Sequence, residues 1–94
     1  MPFTTLNPAS GELIEQYPAW GDEQLESALS LNNAATEGWQ ATPMVERSEL
    51  MHSAAGLLRS RADELAALIT LEMGKLLKEA KAEVEKCAWV CDYY

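Results

Sequence analysis

Apolar residues recur along this chain at helical spacing over most of its length, and the exception is its start. Phe3-Thr4-Thr5-Leu6 and Leu13-Ile14-Glu15-Gln16-Tyr17 carry the strand signals. They flank Asn7-Pro8-Ala9-Ser10-Gly11-Glu12, where proline supplies a fixed φ and glycine a permissive one for reversing the chain. This pattern predicts a β-hairpin over residues 3–18. A two-stranded ribbon is rarely stable alone, so it is expected to lie on helices or pair with further strands.

Four helices are predicted after it, over about residues 22–38, 43–59, 62–73 and 76–94. In the first, Asp22 is the expected N-cap, Leu25, Ala28, Leu29, Ala35 and Trp39 form a narrow stripe, and Gly38 is the expected stop. Thr42-Pro43 marks the second start, with Thr42 as cap and Pro43 at the first helical position. Its stripe is Leu50, Met51, Ala54, Leu57 and Leu58, with Arg47, Glu49, His52 and Arg59 off it. Around Ser60-Arg61 the period shifts, which predicts a break before a third run with Leu65, Ala66, Leu68, Ile69 and Met73 inward. Gly74 stops that run, because glycine takes a left-handed backbone without steric cost. The fourth places Leu77, Ala80, Val84, Cys87, Ala88, Cys91 and Tyr94 on one side and Lys78, Lys81, Glu85 and Asp92 opposite. No C-cap signal follows, the pattern expected of a piece of a longer helix. The class is therefore mainly α with an N-terminal hairpin.

Ninety-four residues make one domain at most, with a modest core. With 48% hydrophobic and 23% charged residues, the composition is that of a folding chain. The net charge of −8 repels phosphate backbones and anionic lipid, which argues against nucleic acid and membrane surfaces as partners. The N-terminus lacks a basic, apolar leader pattern, and the two cysteines do not make a secreted disulfide framework; the chain reads as soluble and cytoplasmic.

Candidate chemistry is sparse. Cys87 and Cys91, four apart, offer two thiolates, but a structural zinc site needs more ligands and His52 sits on another helix, so both read as small core hydrophobes. Neither has a neighbouring histidine to make it a nucleophile. Glu72 and Lys75 flank Gly74 and read as end-capping and pairing residues. Glu79, Glu83 and Glu85 read as a solvated face shared with Lys78, Lys81 and Lys86. Trp20, Trp39 and Trp89 read as packing residues. Neither GxGxxG nor GxxxxGK[ST] occurs, so no phosphate cradle is expected. No residue is assigned a catalytic, cofactor-binding or metal role.

The ordered set Asn7-Pro8-Ala9-Ser10-Gly11-Glu12, Gly38-Trp39, Arg47 with Leu50, Asp63-Glu64-Leu65-Ala66, Thr70-Leu71-Glu72-Met73-Gly74-Lys75, Glu79-Ala80, Glu83-Val84 and Tyr93-Tyr94 resembles the N-terminal region of the NAD(P)-dependent aldehyde dehydrogenases. Glu72-Met73-Gly74-Lys75 and Cys91-Asp92-Tyr93-Tyr94 are similar to the short bacterial succinate-semialdehyde dehydrogenases. Leu76 departs from the proline that many members carry there, a favourable but optional helix-start residue.

The resemblance implies a parent α/β fold with a Rossmann-like coenzyme domain, of which residues 1–94 would be the opening part, together with a catalytic domain and an oligomerisation hairpin. It implies a homo-oligomeric enzyme using NAD or NADP, in which a cysteine thiolate attacks an aldehyde, hydride passes to the coenzyme and water releases the acid. The family's nucleophile belongs to a later motif, so Cys87 and Cys91 do not take its place, and the 94 residues alone are expected to be inactive and to bind no coenzyme. The fourth helix is implied to approach the aldehyde entry, near Lys86 or Trp89. The competing reading is a self-contained acidic helical module that binds a partner through the 77/80/84/87/91 face. On the enzyme reading, stripes that lack their neighbours should drive self-association or leave the chain partly molten.

Overall fold

In a computed structural model, which describes residues 2–94, two strands precede four helices. Strands β1 (Phe3–Leu6) and β2 (Leu13–Tyr17) pair antiparallel, Phe3 opposite Tyr17 and Leu6 opposite Leu13, with a bulge between Thr5 and Leu6. The turn is closed by its own side chains: Asn7 Oδ1 accepts from the Ala9 amide and Ser10 Oγ from the Glu12 amide. Gly11 completes it at φ +78°, where any side chain is strained.

Helix α1 (Asp22–Ala41) is capped one residue before the expected position. Gly21 is the N-cap, and its amide donates to Gln24 Oε1 at 3.0 Å, so Asp22 occupies the first helical position instead. Nor does Gly38 end the helix. The end comes at Thr42, whose Oγ1 donates back to the Gly38 carbonyl, and Arg47 reaches over to take the carbonyls of Trp39 and Gln40. Once another element satisfies these carbonyls, no left-handed glycine is needed. Thr42 thus finishes α1 rather than starting α2 (Met44–Ser60), for which Pro43 is the N-cap.

The expected break falls at Arg61, and α3 (Ala62–Met73) runs to Gly74 at φ +71°. Helix α4 (Leu77–Tyr93) then returns antiparallel, its first half along α3 and its second along α2. The core is made of small residues: Ala66, Ala80 and Val84, joined by Leu58, Ala62, Leu65 and Ile69, with Ala55 and Ala88 buried further along. Alanines at these positions let helix backbones approach closely.

Elsewhere the predicted stripes are uncovered. Helix α1 buries none of its residues, and Leu50, Leu57, Leu77 and Cys87 stand exposed. All three tryptophans are open rather than packed, Trp20 at 63% exposure. The molecule is a slab, 48 × 37 × 15 Å, barely more than one helix thick. Apolar positions spaced for two faces therefore find a neighbour on one at most.

Candidate functional site

Two clusters hold the polar and signature residues. At the first, the turn Asn7–Glu12 rests against the α3–α4 joint. A Cβ built on Gly74 would lie 3.0 Å from Pro8 Cγ, so glycine here serves both the left-handed backbone and the close approach. Lys75 does not pair with Glu72. It bonds Glu83 two turns into α4, and that carboxylate raises the Lys75 ammonium pKa above its ordinary value.

The second cluster is the α2–α4 seam. His52 Nδ1 lies 3.0 Å from Asp92 Oδ1, and Arg59 pairs with Asp92 Oδ2 at 2.8 Å and Glu85 Oε1 at 3.1 Å. His52 and Arg59 are seven apart on α2, as are Glu85 and Asp92 on α4, so two turns of each helix match in antiparallel register. The His52 and Arg59 contacts hold the Asp92 carboxyl below the usual range. Lys81 extends the seam to Asp63 on α3. These charges therefore rim the packed faces, whereas local spacing placed them opposite. Glu83 and Glu85 likewise bond Lys75 and Arg59, not the lysines beside them.

Neither cluster is a catalytic constellation. The His52–Asp92 pair resembles a base with its orienting carboxylate, but no hydroxyl or thiol is hydrogen-bonded to His52 among the described residues. Both cysteines are free, Cys87 exposed and Cys91 half-buried. No group of three or more His, Cys, Asp or Glu side chains converges on a metal position among the described residues. Lys86 and Cys87 line a shallow groove on α4 with Lys75, Glu79 and Glu83, and Trp89 stands exposed nearby in sequence. The 77/80/84/87/91 face is divided, with Ala80 and Val84 turned into the core, so it does not present one continuous partner surface.

The hairpin, the four helices and the joint at Gly74 agree with the match of the whole chain, residues 1–94, to the sequence family described as the aldehyde dehydrogenase family. The chain belongs to that family. Among its relatives are succinate-semialdehyde dehydrogenase [NADP(+)] of Deinococcus radiodurans, 43% identical over 99% of this chain, and succinate semialdehyde dehydrogenase [NAD(P)+] of Escherichia coli, 40% identical over 96%. The crystal structure of succinic semialdehyde dehydrogenase from Streptococcus pyogenes in complex with NADP+ matches 98% of the chain with a TM-score of 0.90 at 31% identity. In each case the chain spans about a fifth of the relative's length, 20%. The aldehyde dehydrogenase likeness therefore covers all of this chain and a minor part of each relative. Among the described residues, no helix is long and apolar enough to cross a membrane.

Proposed function

We propose that these residues are the N-terminal part of an aldehyde dehydrogenase that oxidises succinate semialdehyde to the acid with NADP+ or NAD+. The observation that carries this is the 43% identity across 99% of the chain to a relative named for that substrate and for NADP+. The oligomeric enzyme would draw its nucleophile and coenzyme contacts from polypeptide beyond this stretch, and residues 1–94 would form the opening part of its coenzyme-binding domain.

The residues present do not fit a dinucleotide. The strand-to-helix junction is where a pyrophosphate would be cradled, yet here the N-cap amide is taken by Gln24, and Asp22 and Glu23 put negative charge in the first turn. This segment's work is structural: it fixes the hairpin against α3–α4 and carries the α4 groove with Lys86 toward the aldehyde entry. The test is an assay of the polypeptide encoded by this chain together with the coding sequence that follows it. Specificity for succinate semialdehyde should appear as faster NADP+ or NAD+ reduction with it than with uncharged aldehydes of similar length. No reduction with any aldehyde would sink the reading, and turnover by the 94 residues alone would sink the claim that the chemistry lies elsewhere.

A further inference from the structure

The charge of the chain is divided unevenly. Before Arg47 there are seven carboxylates and no basic side chain; from Arg47 onward, seven basic side chains stand against eight acidic ones. Six of those seven carboxylates lie on the hairpin and α1, the seventh being Glu46 on α2, so most of the net charge of −8 sits on the hairpin and α1. These elements and the connection between them also leave large apolar side chains open: Phe3 is 68% exposed, Trp20 63% and Leu31 70%. Two shallow concavities adjoin across Trp20, one reaching Phe3 and Leu25, the other reaching Leu31 along α1. Glu23 lines the second, and Asp22 and Glu26 lie within the same first turns.

A contiguous exposed apolar patch rimmed by charged residues marks a contact site. Its rim selects what makes the contact. A second copy docking the same face would bring Asp22, Glu23 and Glu26 against their own counterparts. The rest of a second copy has few cations to offer: Arg59, Arg61, Lys75 and Lys81 are paired within the chain, and Arg47 is bound to α1 carbonyls. The occupant must be apolar at its centre and carry free Lys or Arg at its edge, since opposite potentials across an interface favour encounter and like potentials suppress it.

We infer that the Phe3–Trp20–Leu31 face of the hairpin and α1 docks onto a basic-rimmed apolar surface of the remaining aldehyde dehydrogenase polypeptide, and that the acidic rim sets its register. This rests on the proposed function and on the 20% share of the relatives that the chain accounts for. It adds which face docks and the charge its partner must carry.

The test titrates the 94-residue chain with two probes. One is an amphipathic helical peptide of Leu and Lys, with the same peptide carrying Glu for Lys as control. The other is the Deinococcus radiodurans relative with the segment matched by this chain removed. The Leu–Lys helix should perturb the Trp20 indole and the Leu25 and Leu31 methyls in NMR spectra. Its affinity should fall about tenfold between about 0.05 M and about 0.5 M salt, and by a similar factor in Glu23→Gln/Glu26→Gln. The Leu–Glu helix should not bind, and the truncated relative should be captured with the same sensitivities and lost in Trp20→Ala. Equal binding of both peptides, or perturbations confined to α4, overturns the inference. So does capture of the relative that ignores Glu23, Glu26 and Trp20, or no capture of a folded relative. If the truncated relative does not fold, the peptide arms decide alone. None of these results touches the aldehyde assay, which fails or succeeds independently.

Discussion

The guanidinium of Arg47 lies over the Trp39 ring, 4.9 Å from its centroid, while its Nη2 donates to the carbonyls of Trp39 and Gln40. One side chain from the first turn of α2 thus closes the end of α1 and ties it to the bundle. Because α1 buries nothing, this tie sets the direction of the arm. Arg47→Ala should cost about 1–3 kcal/mol in urea unfolding, from charge-assisted hydrogen bonds and a cation–π contact. Amide exchange at residues 39–42 should accelerate while that of α3 and α4 is unchanged. Arg47→Lys keeps the charge without the fork and should recover only part. Unchanged exchange at the end of α1 in Arg47→Ala would show that the arm is held by something else.

Gly11 and Gly74 both have positive φ, but only Gly74 is crowded. Gly11→Ala should cost about 1–2 kcal/mol, the left-handed penalty alone. Gly74→Ala should cost more, since the new methyl also meets Pro8. Adding Pro8→Ala should return the excess and leave the backbone part. Equal losses for the two glycine variants would show that the Pro8 contact yields freely.

Asp92 gives the seam its pH dependence. His52, first, and Arg59 hold its carboxyl below the ordinary value, so the folded form binds this proton more weakly than the unfolded chain does. The contribution is complete above the ordinary aspartate pKa of about 4 and is lost as pH falls through the depressed one. Carboxyl NMR titration should find Asp92 below the ordinary range, and His52→Gln and Arg59→Gln should each move it back. A midpoint unchanged in both variants would remove these contacts as the cause.

Ala55 and Ala88 are fully buried and lie between the His52–Asp92 and Arg59–Glu85 pairs. Ala88→Leu should wedge the helices apart at a cost of about 1–3 kcal/mol. It should also bring the Asp92 titration toward normal, because the ionic partners separate with the backbones. An unshifted Asp92 in a destabilised variant would mean that packing and ion pairs are independent.

The element types and most bounds were legible in the sequence because they depend on local period and on glycine and proline chemistry. The end of α1 and the start of α2 were not, since Thr42 and Arg47, which local spacing assigns to α2, satisfy carbonyls of α1. Nor were the seam pairs, which depend on the register of α2 against α4. Stripe membership was half legible. Leu58, Leu65, Ala66, Ile69, Ala80 and Val84 do meet, whereas Leu50, Leu57 and Leu77 are spaced for a neighbour that a slab 15 Å thick does not provide.

The open stripes carry a prediction of their own. The isolated chain should bind an apolar dye, and its self-association should grow with salt, as screening removes repulsion between acidic arms. A dye-silent monomer at every ionic strength would indicate that these faces are covered in some other way.

The contact between Pro8 and Gly74 links two stretches that look unrelated along the chain. The hairpin turn and the helix joint act as one hinge pin with its socket. A family member that alters one is expected to show a compensating change in the other, so the pair is better read as a single two-part signature than as two separate ones.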